Sequence, residues 1–133
     1  MNRVVISLGS NVEDRMARVA AAITWIQSIL RSSACSGIYE TDDFHPTGRK
    51  YCNAVVAGYI DMTADEIEAM TLRYERDSGR DDSARLRGDV PIDIDLVICN
   101  GRVLRANDME REYFLKGYLE IGAENWCGNS SGI

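Results

Sequence analysis

The sequence predicts an α+β domain, an antiparallel sheet with helices packed on one face. Three observations carry this expectation. Two stretches repeat apolar residues at helical spacing behind capping patterns. Four short runs are rich in β-branched and aromatic residues. The order along the chain is strand, helix, strand, strand, helix, strand, the split βαβ arrangement of ferredoxin-like βαββαβ sheets.

Val4, Val5, Ile6 and Leu8 form an apolar run closed by Gly9, which predicts a buried strand over residues 2 to 8. Ser10-Asn11-Val12-Glu13 reads as a capping box. Val12, Met16, Val19, Ile23, Ile26 and Leu30 then recur at helical period, predicting a helix over 11 to 30. Residues 33 to 41 read as a second strand, and Asp42 to Lys50, with His45-Pro46 and Thr47-Gly48, as a loop. A third strand spans 51 to 60.

Thr63-Ala64-Asp65-Glu66 is a second capping box, followed by Ile67, Met70 and Tyr74, with Gly79 as a stop. Residues 80 to 89 mix Arg80, Arg85 and Arg87 with Asp81, Asp82 and Asp89, and read as a mobile loop. Val90 to Cys99 is the fourth strand, and Asn100-Gly101 a tight turn. Beyond it Tyr113, Phe114, Leu115, Leu119 and Ile121 call for burial without a clear period. The tail from Gly122 reads as frayed.

The 133 residues fit one domain at 1–121 with a C-terminal tail at 122–133. A net charge of -6 argues against a nucleic-acid partner, which needs a basic face. No stretch has transmembrane length and no targeting segment is visible, so a cytoplasmic protein is expected. The four cysteines form no Cys-x-x-Cys pair and there is one histidine, which speaks against structural zinc. Reduced thiols are the plainer reading.

On the fourth strand, alternation puts Val90, Ile92, Ile94, Leu96 and Ile98 on the core face. Asp93 and Asp95 then lie together on the other, roughly 6 to 7 Å apart along the backbone. Two carboxylates so placed repel unless a cation sits between them, and hard cations such as magnesium favour such oxygens. A solvated sheet face is the plainer alternative. On the third strand Tyr51 and Asn53 share a face, a ring to stack on a flat heterocycle and an amide for its edge, or a tyrosine at a sheet margin. Gly9-Ser10-Asn11 offers amides to an anion or merely turns the chain. Arg80, Arg85 and Arg87 could clamp phosphates or stand solvated. For Asp108 to Glu112, which includes Arg111, a solvated face is the ordinary account.

Taken in order, these residues resemble the 6-hydroxymethyl-7,8-dihydropterin pyrophosphokinase family from about Val4 to Ile121. The marks are Ser7-Leu8-Gly9-Ser10-Asn11 with Arg15, Ser36-Gly37-Ile38-Tyr39-Glu40-Thr41, and Tyr51-Cys52-Asn53-Ala54-Val55-Val56. Glu75 with Gly79-Arg80 follows, then Ile92-Asp93-Ile94-Asp95-Leu96, and Arg111 ahead of Tyr113-Phe114-Leu115. The resemblance implies transfer of pyrophosphate from ATP to the pterin hydroxymethyl group, releasing AMP, in folate biosynthesis. It implies two magnesium ions on Asp93 and Asp95, with Arg80 beside them in the catalytic set. It implies pterin contacts at Thr41, Tyr51, Asn53 and Tyr113, and ATP contacts at Glu75, Arg80 and Arg111; Arg85 and Arg87, on the charged segment, are expected to join them at the phosphates. A monomer acting on small molecules is expected. The 80–89 segment would close over the phosphates.

The chain also departs from the family pattern. Val90 and Asp82 stand where arginines are expected, Leu72 where a glutamine is, and Asp42 where a proline is. A His-Pro pair is absent around Arg105 to Asn107. Losing cations near a triphosphate leaves open an alternative: a catalytically impaired homologue that binds a pterin, nucleotide or protein partner without chemistry.

Overall fold

Apolar alternation along the first strand places Val4, Ile6 and Leu8 on one face and Val5 on the other, and both faces are covered. In the computed structural model, which describes residues 1–42 and 48–122, the chain runs β1 (Asn2–Ser10), α1 (Arg15–Ile29), β2 (Arg31–Cys35), β3 (Tyr39–Asp42), β4 (Lys50–Ile60), α2 (Ala64–Asp77), α3 (Asp82–Leu86), β5 (Asp93–Cys99), β6 (Arg102–Val103), a 3-10 turn (Ala106–Glu110) and α4 (Glu112–Glu120). The loop expected through His45, Pro46 and Thr47, and the tail beyond Gly122, lie outside the described residues.

The sheet is antiparallel, in the order β2-β4-β1-β5-β6, with β3 sharing the outer edge of β4 beside β2. Helices α1 and α2 pack on one face, as predicted, over Ile6, Leu8, Val56, Ile94 and Leu96. Trp25 of α1 stacks on Tyr74 of α2, ring centroids 4.2 Å apart. Helix α4, for which the sequence offered no period, covers part of the opposite face. Phe114 and Tyr118 pack there on Val5, Val55, Ala57 and Val97. Leu119, expected to bury, is instead 61% exposed. Gly117 explains how α4 comes so close: a Cβ there would lie 2.7 Å from Val55 Cγ2 and 2.8 Å from the Tyr39 hydroxyl.

Several local expectations are corrected. The strand over 33–41 is two strands, because Ser36 replaces backbone pairing with its side chain. Its N–H donates to Val55 O, its Oγ accepts from Val55 N, both at 2.9 Å, and Gly37 then leaves the ladder. The first helix starts at Arg15 rather than 11, since Asn11 is used elsewhere and caps nothing. The second capping box is present as predicted: Thr63 Oγ1 accepts from Glu66 N–H, and Glu66 accepts from Thr63 N–H. Gly79, at φ +98°, ends that helix.

Residues 80–89 are not an irregular loop. Asp81 caps the short α3 by accepting from Ala84 N–H at 2.8 Å, and Ala84 is buried. The fourth strand begins at Asp93 rather than 90, because Val90 pairs with Asn11 and Pro91 has no amide to donate. Its alternation also breaks. Val5 pairs with Ile98 but Ile6 with Leu96, so Val97 is an extra residue, and Ile98 faces α4 instead of the main core. Asn100 and Gly101 both take positive φ, 52° and 80°, which makes the predicted tight turn.

Candidate active site

The register of three adjacent strands assembles the site. Gly9 of β1 lies opposite Asn53 of β4 on one side and Asp93 of β5 on the other. Two residues along, Ser7 lies between Val55 and Asp95. The bulge falls beyond Leu96, so the alternation that puts Asp93 and Asp95 on one face holds where it matters. A Cβ on Gly9 would sit 2.9 Å from Asn53 Oδ1. Gly9 is therefore part of the floor between the amide and the first carboxylate.

Two clefts open on this row. The first, about 280 Å³, is lined by Thr41, Tyr51, Asn53, Arg111 and Tyr113 together with Gly9 and Asp93. The second, about 510 Å³, is lined by Leu72, Glu75, Arg80 and Arg105 together with Asp93 and Asp95. Asp93 belongs to both.

In the first cleft Asn53 is buried, and its Nδ2 donates to Thr41 Oγ1 at 2.6 Å. That bond fixes the amide, since β3 and β4 pair Thr41 with Tyr51 and Tyr39 with Asn53. Tyr113 is half-buried and donates its hydroxyl to Asp108 Oδ1 at 2.5 Å. Burial and that carboxylate raise the phenol well above its ordinary range. Arg111, expected beside ATP, lines this cleft and not the second.

In the second cleft Arg80 sits on Asp93, Nη1 to Oδ1 at 2.7 Å, and is 3.2 Å from Glu75. Glu75 is buried and accepts from the backbone N–H of Ile94 at 2.8 Å, on the edge of β5 that β6 leaves unpaired. Burial raises its carboxyl above the usual range. So Glu75, expected to contact ATP, holds the strand between the two aspartates in place. Asp95 is pushed up to about 8, first by burial and then by the neighbouring Asp93 carboxylate, with Arg105 opposing from 3.8 Å.

Arg85 and Arg87, expected as a phosphate clamp, stand on and just after α3. Arg85 pairs with Asp82 at 2.9 Å and Arg87 with Asp89 at 2.9 Å; neither lines the second cleft. The anion-binding turn at Gly9-Ser10-Asn11 does not form either. Gly9 and Ser10 are in the sheet, and Asn11 N–H donates to Val90 O at 3.0 Å. The side chain of Asn11 donates to Gly88 O and accepts from Val90 N–H, so it pins the segment leading into β5.

The sequence reading missed Gly9 as floor, Asn11 as pin, and Asp108. The last lies in a charged patch for which a solvated face is the ordinary account, yet it is only 5% exposed. The signal available for Asp108 was its spacing: Arg105 lies three residues before it and Tyr113 five after.

Asp93 and Asp95 suit magnesium by their chemistry. They are hard oxygen donors on one strand face, one paired with a guanidinium and the other raised above the usual carboxylate range, first by burial and then by its neighbour's charge. Among the described residues no group of three or more His, Cys, Asp or Glu side chains forms a closed metal site, so a metal here would complete its shell with ligand oxygens and water.

Fold and site together define a small α+β domain with a flat, half-polar pocket and an acidic cleft meeting at one aspartate. The chain belongs to the 7,8-dihydro-6-hydroxymethylpterin-pyrophosphokinase family, whose sequence profile matches residues 5–123. It is 34% identical over 103 residues to a 2-amino-4-hydroxy-6-hydroxymethyldihydropteridine pyrophosphokinase of Porphyromonas gingivalis, covering 71% of this chain and 67% of that one. To the protein of the same name from Aquifex aeolicus it is 27% identical over 131 residues, covering 91% and 81%. A mitochondrial folate synthesis bifunctional protein of Arabidopsis thaliana is 34% identical over 101 residues, 72% of this chain but 18% of that protein. The chain thus spans about a fifth of the length of the bifunctional relatives it matches.

Proposed function

We propose that this protein transfers pyrophosphate from ATP to the hydroxymethyl oxygen of 6-hydroxymethyl-7,8-dihydropterin, yielding AMP, as a step of folate biosynthesis. The observation that carries the reading is Asp93, which lines the flat pocket and the acidic cleft at once. A hydroxyl from a ligand in one and a phosphate chain from a ligand in the other meet at that residue.

In the first cleft the pterin lies between Tyr51 and Tyr113, with Asn53 and Thr41 at its polar edge. The Asn53–Thr41 bond sets the amide before the ligand arrives, so little ordering remains on binding. In the second cleft ATP extends along β5, with Arg80 near its phosphates and Leu72 toward the base. Asp93 and Asp95 would hold two magnesium ions, which when bound offset phosphate charge and acidify the attacking hydroxyl.

The hydroxymethyl oxygen forms its bond to the β-phosphorus as the bond from that phosphorus to the α,β-bridging oxygen breaks. AMP departs with that oxygen, and the hydroxyl proton passes to solvent. Arg80 pairs with Asp93, and a cation held on that carboxylate would free its guanidinium for the phosphates. Ties from Glu75 to Ile94 and from Asn11 to Val90 keep the acidic strand in position throughout. A binding-only relative would have no use for a carboxylate pair that costs desolvation.

No described helix is long and apolar enough to cross a membrane. The acidic charge supports small-molecule substrates over nucleic acid, and we read the protein as a cytoplasmic monomer, which gel filtration and fractionation check. The activity is tested by incubating the protein with ATP, magnesium and the dihydropterin. AMP formed in step with pterin consumed is expected. ADP as product, or AMP without pterin dependence, contradicts the reading.

A further inference from the structure

The second cleft is more acidic than a triphosphate site should be. Glu68, Glu75, Asp93 and Asp95 line it, and its cations are Arg80 and Arg105. Arg80 is engaged three times, by Asp93, Glu75 and the carbonyl of Ile92. Arg85 of α3 and Arg87 just after it pair with Asp82 and Asp89, and Val90 brings no charge. Arg105 is different. Its side chain is half exposed, and the one hydrogen bond it makes among the described residues uses Nε, donated to Asp108 Oδ2 at 3.0 Å. The two terminal amino groups remain for a ligand.

Arg105 is also held rather than loose. Asp108 is buried, with one oxygen taking Arg105 Nε and the other taking the Tyr113 hydroxyl. One carboxylate thereby fixes a wall of each cleft. Arg105 stands 3.8 Å from Asp95 and Arg80 stands 2.7 Å from Asp93, so the two guanidiniums flank the carboxylate pair. A fixed guanidinium at the margin of a cation site is a geometry suited to phosphate oxygens bridged by that cation.

We propose that Arg105, aimed by the buried Asp108, is a polyphosphate-binding residue of the second cleft and makes up for the arginines absent at positions 82 and 90. The proposal rests on the nucleotide reading of that cleft. Asp108 acts as a positioning residue; it touches neither ligand.

The test is calorimetric titration of the full chain with magnesium and α,β-methylene ATP, and separately with AMP. The proteins compared are the wild type, Arg105→Ala, Arg105→Lys and Arg102→Ala. Arg102 is exposed on β6 and controls for loss of general charge. The expected result is affinity for the triphosphate analogue about ten- to hundredfold weaker in Arg105→Ala, partly recovered in Arg105→Lys, and little changed for AMP or for Arg102→Ala. Unchanged triphosphate affinity in Arg105→Ala overturns the proposal while leaving the cleft's nucleotide reading standing. Equal losses for AMP and the triphosphate, or for Arg102→Ala and Arg105→Ala, overturn it by showing packing or field effects. A wild type that binds no nucleotide overturns both readings together.

Discussion

Replacing Asp95 with asparagine should stabilise this protein at neutral and alkaline pH while removing one of the two proposed metal ligands. The side chain is 20% exposed, and burial with the Asp93 charge lifts its carboxyl from 3.8 to about 8. A group whose folded pKa lies above its unfolded one binds more protons in the folded state. Its contribution is then fully present below about pH 4 and is lost as pH rises through about 8. Tenfold in proton affinity is about 1.4 kcal/mol, so the ceiling on the loss is about 6 kcal/mol. Arg105 already opposes this shift, and the solvent reaching the site screens much of the rest, leaving an expected difference of about 1–3 kcal/mol. The assay is urea unfolding of wild type and Asp95→Asn in chelator, from pH 5 to 9. The wild type should weaken across this window more steeply than the variant, which keeps the raised carboxyl of Glu75, the two curves converging toward the acid end. Magnesium should restore the wild type at high pH and leave the variant nearly unmoved. Parallel pH profiles for the two proteins would refute the reasoning.

Further expectations follow from single contacts. Gly9→Ala sets a methyl 2.9 Å from the Oδ1 of Asn53, a buried amide whose Nδ2 is tied to Thr41; it should cost about 1–3 kcal/mol in thermal unfolding and weaken pterin binding more than ATP binding. Glu75→Ala strands the buried N–H of Ile94 and should lower stability by about 1–3 kcal/mol, whereas Glu75→Gln, which keeps an acceptor, should restore most of it in the same unfolding assay. Asn11→Ala removes both pins on the segment entering β5; hydrogen exchange should report faster opening of residues 88–92, with turnover falling more than pterin affinity.

The carboxylate pair was legible because strand alternation is local and the bulge falls after Leu96. The face of Ile98 was not, because the extra residue is set by β1, a strand far away in sequence. Thr63 and Glu66 announced a helix start correctly, since both halves of that cap lie within one turn. Asn11 gave the same local signal and was misread, for its partners at Gly88 and Val90 are 77 and 79 residues away. Helix α4 lacked a readable period because Gly117 faces the sheet, where a larger residue would collide with Val55 and Tyr39. The short α3 hid in a charged stretch, though Asp81 three residues before Ala84 was the signal of its cap. The flat pocket was anticipated through Tyr51, Asn53, Thr41 and Tyr113, and the structure brings all four together. The second cleft was less legible: Arg85 and Arg87 pair with local aspartates and do not line it, and the buried Asp108 that holds Arg105 gave no periodic signature.

The most direct measurement of the central claim is single-turnover AMP release by wild type and by the Asp93→Asn, Asp95→Asn double variant, with pterin affinity measured alongside. The claim predicts pterin-dependent AMP from the wild type and none above background from the variant, while the variant still binds the pterin. AMP released at the same rate by both proteins would contradict it, and would move the chemistry away from the aspartate that joins the two clefts.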